Sequence, residues 1–226
     1  MIFKKVISRY KWLKHRRVIS VKSIEARFNN IYKKGIWDGK GQSRSGAGST
    51  LEATKNIRKA LPVILNEMKA KSIVDLGCGD FYWMKKVSLP CKYIGLDIVE
   101  EVIEENKQQY ANKTRSFQHH NAVEDSLPET SDVVLCREVL FHLSFDDCLK
   151  LIKNVSDSNA RYFLATTSQM LKENRDIRTG EFRNINLTEA PFNFPAPEKC
   201  IKDSENVSKD RFLCVWKVKD IKNLIT

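Results

Sequence analysis

The sequence contains no C-x-x-C pair. Its six cysteines stand at 78, 91, 136, 148, 200 and 214, and none of the four histidines lies beside one at ligand spacing. That argues against a zinc ribbon or finger, and with no acidic cluster demanding an ion, we predict no metal. The basic N-terminus lacks an uninterrupted apolar stretch, so no signal peptide is evident. Internal repeats and low-complexity segments are absent too. Cys136 and Cys214 sit in apolar runs, where a free thiol behaves as a small core residue. We therefore expect a reducing, cytoplasmic compartment. What is present is ordinary for a folded chain: 226 residues, 42% hydrophobic and 30% charged. Those values exclude a mostly disordered chain, a collagen and a polytopic membrane protein. The length suits one domain with appendages and is enough to bury a core.

The formal charge of +11 is unevenly spread. Lys4, Lys5, Arg9, Lys11, Lys14, Arg16, Arg17 and Lys22 all precede the first acid, Glu25, leaving about +3 for the rest. Ile2, Phe3, Val6, Ile7, Tyr10, Trp12 and Leu13 are interleaved with them. This arm reads as a solvated or partly packed extension, as a helix lying peripherally on an anionic membrane face, or as an RNA-contacting segment. The pattern predicts a basic extension over 1–34 and one domain over 35–226.

Residues 35–49 are rich in Gly, Ser and Arg and read as a loop. Ser49 and Glu52 have capping-box spacing, which predicts a helix from Thr50 to about Lys69 bent by Pro62. From residue 72 strands and helices alternate. Strands are expected at 72–76, 92–97, 115–120, 132–136 and 161–167, and helices at 81–87, 99–110 and 145–155. Such alternation indicates a parallel sheet covered on both faces. Residues 168–197 break the rhythm, and 199–202 with 211–217 predict a closing hairpin.

The first strand ends in Asp75-Leu76-Gly77-Cys78-Gly79-Asp80. Two glycines two apart let the backbone turn tightly and approach a ligand. Asp97, 22 residues after Asp75, ends the second strand, where an acid binds ribose hydroxyls. The third glycine of a dinucleotide fingerprint is missing, its place taken by Tyr82. An acidic D-x-G-x-G instead fits a ligand carrying a positive amino group.

In these segments the chain resembles the class I S-adenosylmethionine-dependent methyltransferases. Val74 to Asp80 is similar to their first motif, Tyr93 to Ile98 to their second, and Asp132 to Arg137 to the strand leading to their fourth. The resemblance covers about 72–217. It implies a Rossmann-like α/β fold: a mostly parallel seven-stranded sheet with a C-terminal antiparallel hairpin and helices on both faces. It also implies S-adenosylmethionine as cofactor. The methionine part would lie against Asp75, Gly77, Cys78 and Gly79, the ribose at Asp97, and the adenine by Ile98 and Asn121-Ala122, with Cys136 and Arg137 beside the cofactor. Ser43 to Thr50, Gly79 to Met84, Cys136 to Leu143, Asn184 to Leu187 and Pro191 to Pro195 further resemble a branch encoded among bacterial and large-virus surface-glycan genes. That branch implies O-methylation of a sugar hydroxyl.

A sugar hydroxyl is weakly acidic and benefits from a base. His142, just after the fourth strand, is the first candidate and Glu138 the second. Arg44 and Arg137 are candidate binders of acceptor or cofactor carboxylate. Trp83, Arg183, Phe192 and Asn193 are candidate acceptor contacts, the last three from a long irregular connection of the kind that forms lids. Alternatives are methylation of RNA ribose or of another small molecule, and a non-catalytic cofactor-binding partner subunit. Nucleic-acid base methylation is disfavoured. The Asn/Asp-Pro-Pro-aromatic segment used on adenine amino groups is absent after the fourth strand, and Cys136 lacks the neighbouring proline of a C5 nucleophile.

Overall fold

The computed structural model describes residues 16, 18–38, 41–128, 131–204 and 207–224. Most of the basic arm, from Lys4 to Lys14 together with Arg17, lies outside the described residues, and so do the membrane and RNA readings attached to it.

Seven strands form one sheet: β1 Ser72–Leu76, β2 Lys92–Asp97, β3 Arg115–His119, β4 Val133–Cys136, β5 Tyr162–Ser168, β6 Lys199–Lys202 and β7 Arg211–Lys217. Their order is β3-β2-β1-β4-β5-β7-β6. The first five pair with one another in parallel; β7 runs antiparallel to both β5 and β6. The sheet reverses direction of growth between β1 and β4, which opens a crevice at the strand C-termini.

Period-two alternation sends successive residues of each strand to opposite cores. Val74, Leu76, Val134, Cys136, Phe163 and Trp216 join one apolar cluster, packed under α4 (Phe145–Asp157) and α5 (Val218–Ile221). Ile73, Val133, Leu135, Leu164, Leu213 and Val215 join the other, under α2 (Lys55–Glu67) and α3 (Glu100–Tyr110). Both faces are buried, which is why β4 reads as an unbroken apolar run and every residue of β1, Ser72 and Asp75 included, is buried.

Four expectations are corrected. Helix α2 begins at Lys55, not Thr50. Ser49 ends a 3-10 turn over Ala47–Ser49 and makes no cap, because the preceding loop is tied to Asp80 and Arg137; Thr50 Oγ1 instead accepts from the Ala53 amide at 3.2 Å. Residues 81–87 hold only a 3-10 turn, Met84–Lys86. Phe81 takes a left-handed backbone (φ 53°) that inserts its ring among Tyr93, Tyr110 and Phe117. The extension expected through residue 34 is, from Val18 on, part of the packed domain. Ile19 is buried against Gly180, and α1 (Ile24–Lys33), capped by Ser23, lies over the sheet's C-terminal edge. Finally, Cys200 and Cys214 face each other across β6 and β7 and form a disulfide, so Cys214 is no free thiol. Fourteen residues of separation gave no hint of that pairing; the hairpin register creates it. Among the described residues no helix is long and apolar enough to cross a membrane.

Candidate active site

The C-terminal ends of β1, β2 and β4 open into a cavity of about 300 Å3, roofed by α1 and the 43–49 loop. Its floor is the turn after β1. The amides of Gly77 and Cys78 both donate to the Leu96 carbonyl, at 2.8 and 3.0 Å, which folds the chain sharply. Gly77 and Gly79 have φ of 69° and 55°, where glycine alone is unstrained, and a Cβ on either would collide with Val139 or Ser45.

Asp97 leaves the end of β2 and accepts from the Gly79 amide at 2.9 Å and the Val99 amide at 2.9 Å. Burial pushes its carboxyl up and those amides pull it back down. A carboxylate has about four acceptor directions, so capacity remains for a ligand hydroxyl beside these amides. Ile98 and Val99 continue the wall as an apolar strip, followed past β3 by His120, Asn121 and Ala122. Asn121 Oδ1 accepts from the Val123 amide at 3.1 Å. His120 has a buried Nε2 with no hydrogen-bond partner, and burial lowers its pKa, keeping the ring neutral.

The opposite end follows β4. Arg137 donates to both oxygens of Asp203, at 2.9 and 2.8 Å, and to the Gly48 carbonyl at 2.8 Å. Glu138, left-handed at φ 62°, holds Arg211 Nη1 through Oε2 at 2.8 Å, while its buried Oε1 has no partner. Burial raises the Glu138 pKa and the two guanidinium groups oppose it. His142 sits on the 3-10 turn Leu140–His142. Its Nδ1 is 2.9 Å from the Glu181 carbonyl, and its ring stacks on Trp37 (centroids 4.3 Å apart) with Phe182 at 5.6 Å. A carbonyl only accepts, so Nδ1 carries a proton; whenever the ring is neutral, Nε2 is its basic nitrogen.

Of the residues singled out from the sequence, Gly77, Gly79, Asp97, Ile98, Asn121, Ala122, Arg137, Glu138 and His142 line this one cavity. The others do not. Asp75 is buried beneath it, accepting from Tyr93 Oη at 2.7 Å, with its carboxyl pushed up to about 7 by burial. Cys78 and Cys136 are core residues whose thiols burial raises well above the ordinary range. Arg44 is exposed, paired with Glu101 at 3.2 Å and with Glu105, and lies over the Tyr32 ring. Trp83 is buried with Arg137 over its ring. Arg183 is buried, donating to the Leu140 carbonyl at 2.8 Å, so it braces the His142 turn instead of meeting acceptor. Phe192 packs into the core against Phe145, and Asn193 is exposed outside the cavity. From the irregular connection, Phe182 alone lines the cavity.

Sequence reasoning missed Ile24, Phe28, Tyr32 and Trp37, which roof the cavity, and His120, Phe182 and Arg211 in its walls. A signal existed for the first three: spaced by four, they form one face of a helix. Arg211 had none, since β7 reaches the site only through its pairing with β5.

The sequence profile of the methyltransferase domain family matches residues 67–212. The chain belongs to that family. S-adenosylmethionine is the family's cofactor, and this cavity fits it, with a bare glycine turn, an acid at the end of β2 and an unpaired imidazole beyond an apolar strip. No curated protein matches the chain by sequence. Among solved structures it is similar to human N-acetylserotonin methyltransferase in complex with SAM, at 15% identity and a TM-score of 0.56, covering 85% of this chain and 56% of that one. It thus spans little more than half of that enzyme's length. It is also similar to the magnesium protoporphyrin IX methyltransferase ChlM from Synechocystis PCC 6803, holding SAH: 14% identity, TM-score 0.54, 83% and 93% covered. The N-methyltransferase NodS from Bradyrhizobium japonicum WM9, with SAH, gives 13% identity, a TM-score of 0.54, and 70% and 86% covered. At such identities the likeness is one of fold.

Proposed function

We propose that this S-adenosylmethionine-dependent methyltransferase methylates a sugar hydroxyl of a surface glycan or its precursor. The observation that carries the reading is His142, an imidazole whose tautomer is fixed by the Glu181 carbonyl, lining the same cavity as the Gly77–Gly79 turn. Gly77, Gly79, Asp97 and Ile98 would hold the cofactor, which supplies a methyl group on a sulfonium when bound. His142 Nε2 would take the hydroxyl proton as the oxygen bonds to carbon. The Trp37 stack and the Nδ1 hydrogen bond keep the imidazole from rotating, so orientation as well as basicity comes from the fold. The resemblance of Ser43–Thr50, Cys136–Leu143 and Pro191–Pro195 to the glycan-associated branch supports the acceptor class.

The test is transfer from methyl-labelled S-adenosylmethionine to panels of glycans, RNA and phenols. Label in a glycan ether is expected; transfer confined to RNA or phenols, or cofactor binding with no transfer at all, would overturn the reading. With the accepted glycan, His142→Ala should lower kcat by about 10²-fold or more while leaving cofactor affinity within a factor of about three. Equal turnover would remove His142 as the base.

A further inference from the structure

Among the described residues the large apolar side chains left exposed are Val63, Met170, Phe182, Val207 and Leu224. Phe182 and Val207 line the cavity; the other three do not. A lone apolar side chain on an open surface needs no explanation, whereas a bulky ring turned into a cavity offers a ligand contact area. Phe182 is the aromatic one of the five, and it is 48% exposed.

The chain on both sides of Phe182 is pinned. The Gly180 amide donates to the His142 carbonyl at 2.7 Å, and the Arg183 amide to the Phe141 carbonyl at 3.0 Å. The Glu181 carbonyl meets His142 Nδ1 at 2.9 Å, and Arg183 Nη1 donates to the Leu140 carbonyl at 2.8 Å. The ring itself is braced by Phe141, nearly perpendicular to it with centroids 5.9 Å apart, and by the Arg211 guanidinium at 5.8 Å. All four backbone partners belong to or adjoin the 3-10 turn that carries His142, so ring and imidazole hold a fixed relation, 5.6 Å between centroids. A contact surface ordered before its ligand arrives costs less to use.

Its place selects the ligand. Gly77, Gly79, Asp97 and Ile98, the residues assigned to the cofactor, follow β1 and β2, whereas Phe182 stands with His142 over the turn that follows β4. The acceptor is the molecule that must bring a hydroxyl to that imidazole. A pyranose ring presents C–H bonds on its faces and hydroxyls at its rim. An aromatic face carries negative charge density and attracts the slightly positive C–H hydrogens, which leaves a rim hydroxyl directed sideways. Trp37, stacked on His142 at 4.3 Å, adds a second aromatic surface to the same wall.

We propose that Phe182 is the platform on which the sugar ring of the acceptor lies, setting acceptor affinity and the ring face that is bound. The inference rests on the sugar-hydroxyl reading above and deepens it: favoured acceptors carry a ring face of C–H bonds uninterrupted by axial hydroxyls.

Kinetics on the full chain test this, with methyl-labelled S-adenosylmethionine and the methyl glycosides of glucose, galactose, mannose, fucose and rhamnose beside longer glycans. Phe182→Leu keeps an apolar side chain but has no aromatic face. For the acceptor that the parent methylates, this variant should raise KM about fivefold or more with kcat within about twofold, and Phe182→Tyr should bring KM back to within about twofold of the parent. An unchanged KM in Phe182→Leu would overturn the platform while leaving sugar methylation standing. A fall in kcat at constant KM would also overturn it, by making Phe182 a prop for His142. No transfer by the parent to any sugar would overturn both readings. A second measurement needs no variant: saturation-transfer NMR on the parent with S-adenosylhomocysteine and the accepted methyl glycoside. Irradiating aromatic protons should saturate the C–H protons of one sugar face about twofold more than those of the other, and equal saturation of both faces would overturn the proposal.

Discussion

Asp97 is the residue on which we would first test the proposed cofactor site. Its carboxylate organises the Gly79 amide on one side and the Val99 amide on the other while facing the cavity. Asp97→Ala should therefore weaken S-adenosylmethionine binding about tenfold or more, since a charge-assisted hydrogen bond contributes roughly 1.5–3 kcal/mol. Calorimetry on the folded variant checks this, and an unchanged affinity would remove Asp97 from the site. Asp75, one strand away, behaves differently because it is sealed below the cavity. Its folded carboxyl keeps a proton up to about pH 7, whereas the unfolded one releases it near 4. The folded state thus binds the extra proton in between, and this contribution to stability is full below about pH 4 and is lost as pH rises through 7. Asp75→Asn, neutral throughout and able to keep the Tyr93 hydrogen bond, should gain thermal stability over the parent as pH goes from 5 to 8. A melting-temperature difference identical at both pH values would refute it.

At the scale of elements, Asp80 is the hub. Its carboxylate accepts from Ser43 Oγ, the Arg44 amide, Ser45 Oγ and the Tyr82 amide, and its own amide donates to Ser45 Oγ. These bonds pin the 43–49 loop onto the glycine turn, and Arg44 extends the clasp to Glu101 and Glu105 on α3. Asp80→Ala should free the loop and weaken cofactor binding at least tenfold with the sheet intact. Replacing Glu101 and Glu105 by Gln should change affinity by less than about threefold, because exposed ion pairs contribute roughly 0–1 kcal/mol. Titrations of both variants, with circular dichroism as the control, decide between hub and ornament; equal effects would dismiss the hub. The loop was legible as a loop, but its purpose was not. Ser49 and Glu52 carried a capping signal that lost to the tertiary bonds of Asp80 and Arg137.

At the scale of the whole molecule, the N-terminal segment divides in two. From Ile19 onward it is packed, and Ile24, Phe28 and Tyr32 roof the cavity. Removing residues 1–15 should leave cofactor affinity within a factor of about two. Removing 1–34 should lower it tenfold or more, because an apolar wall is lost to solvent. Equal affinities in the two truncations would mean that α1 does not cover the cofactor. We further propose that the basic arm contacts an anionic membrane face, given the seven basic residues before position 18. Anionic vesicles should bind the full chain in a salt-sensitive way and release the form lacking 1–15; equal binding of both forms would retire the idea.

The sequence by itself determined the strand order along the chain, the glycine turn, the acid at the end of β2 and the place of His142 just after β4. These are local matters: apolar runs, left-handed positions and a spacing of 22 residues between two acids are written in neighbouring letters. Only the tertiary structure decided which polar residues share a cavity. Arg183 and Trp83 look like acceptor contacts until packing buries them, while Arg211 and His120 become cavity residues because β7 pairs with β5 and β3 with β2. The same hairpin register joined Cys200 to Cys214. Contacts of this kind depend on which faces the sheet turns toward one another, a long-range outcome that no window of sequence contains.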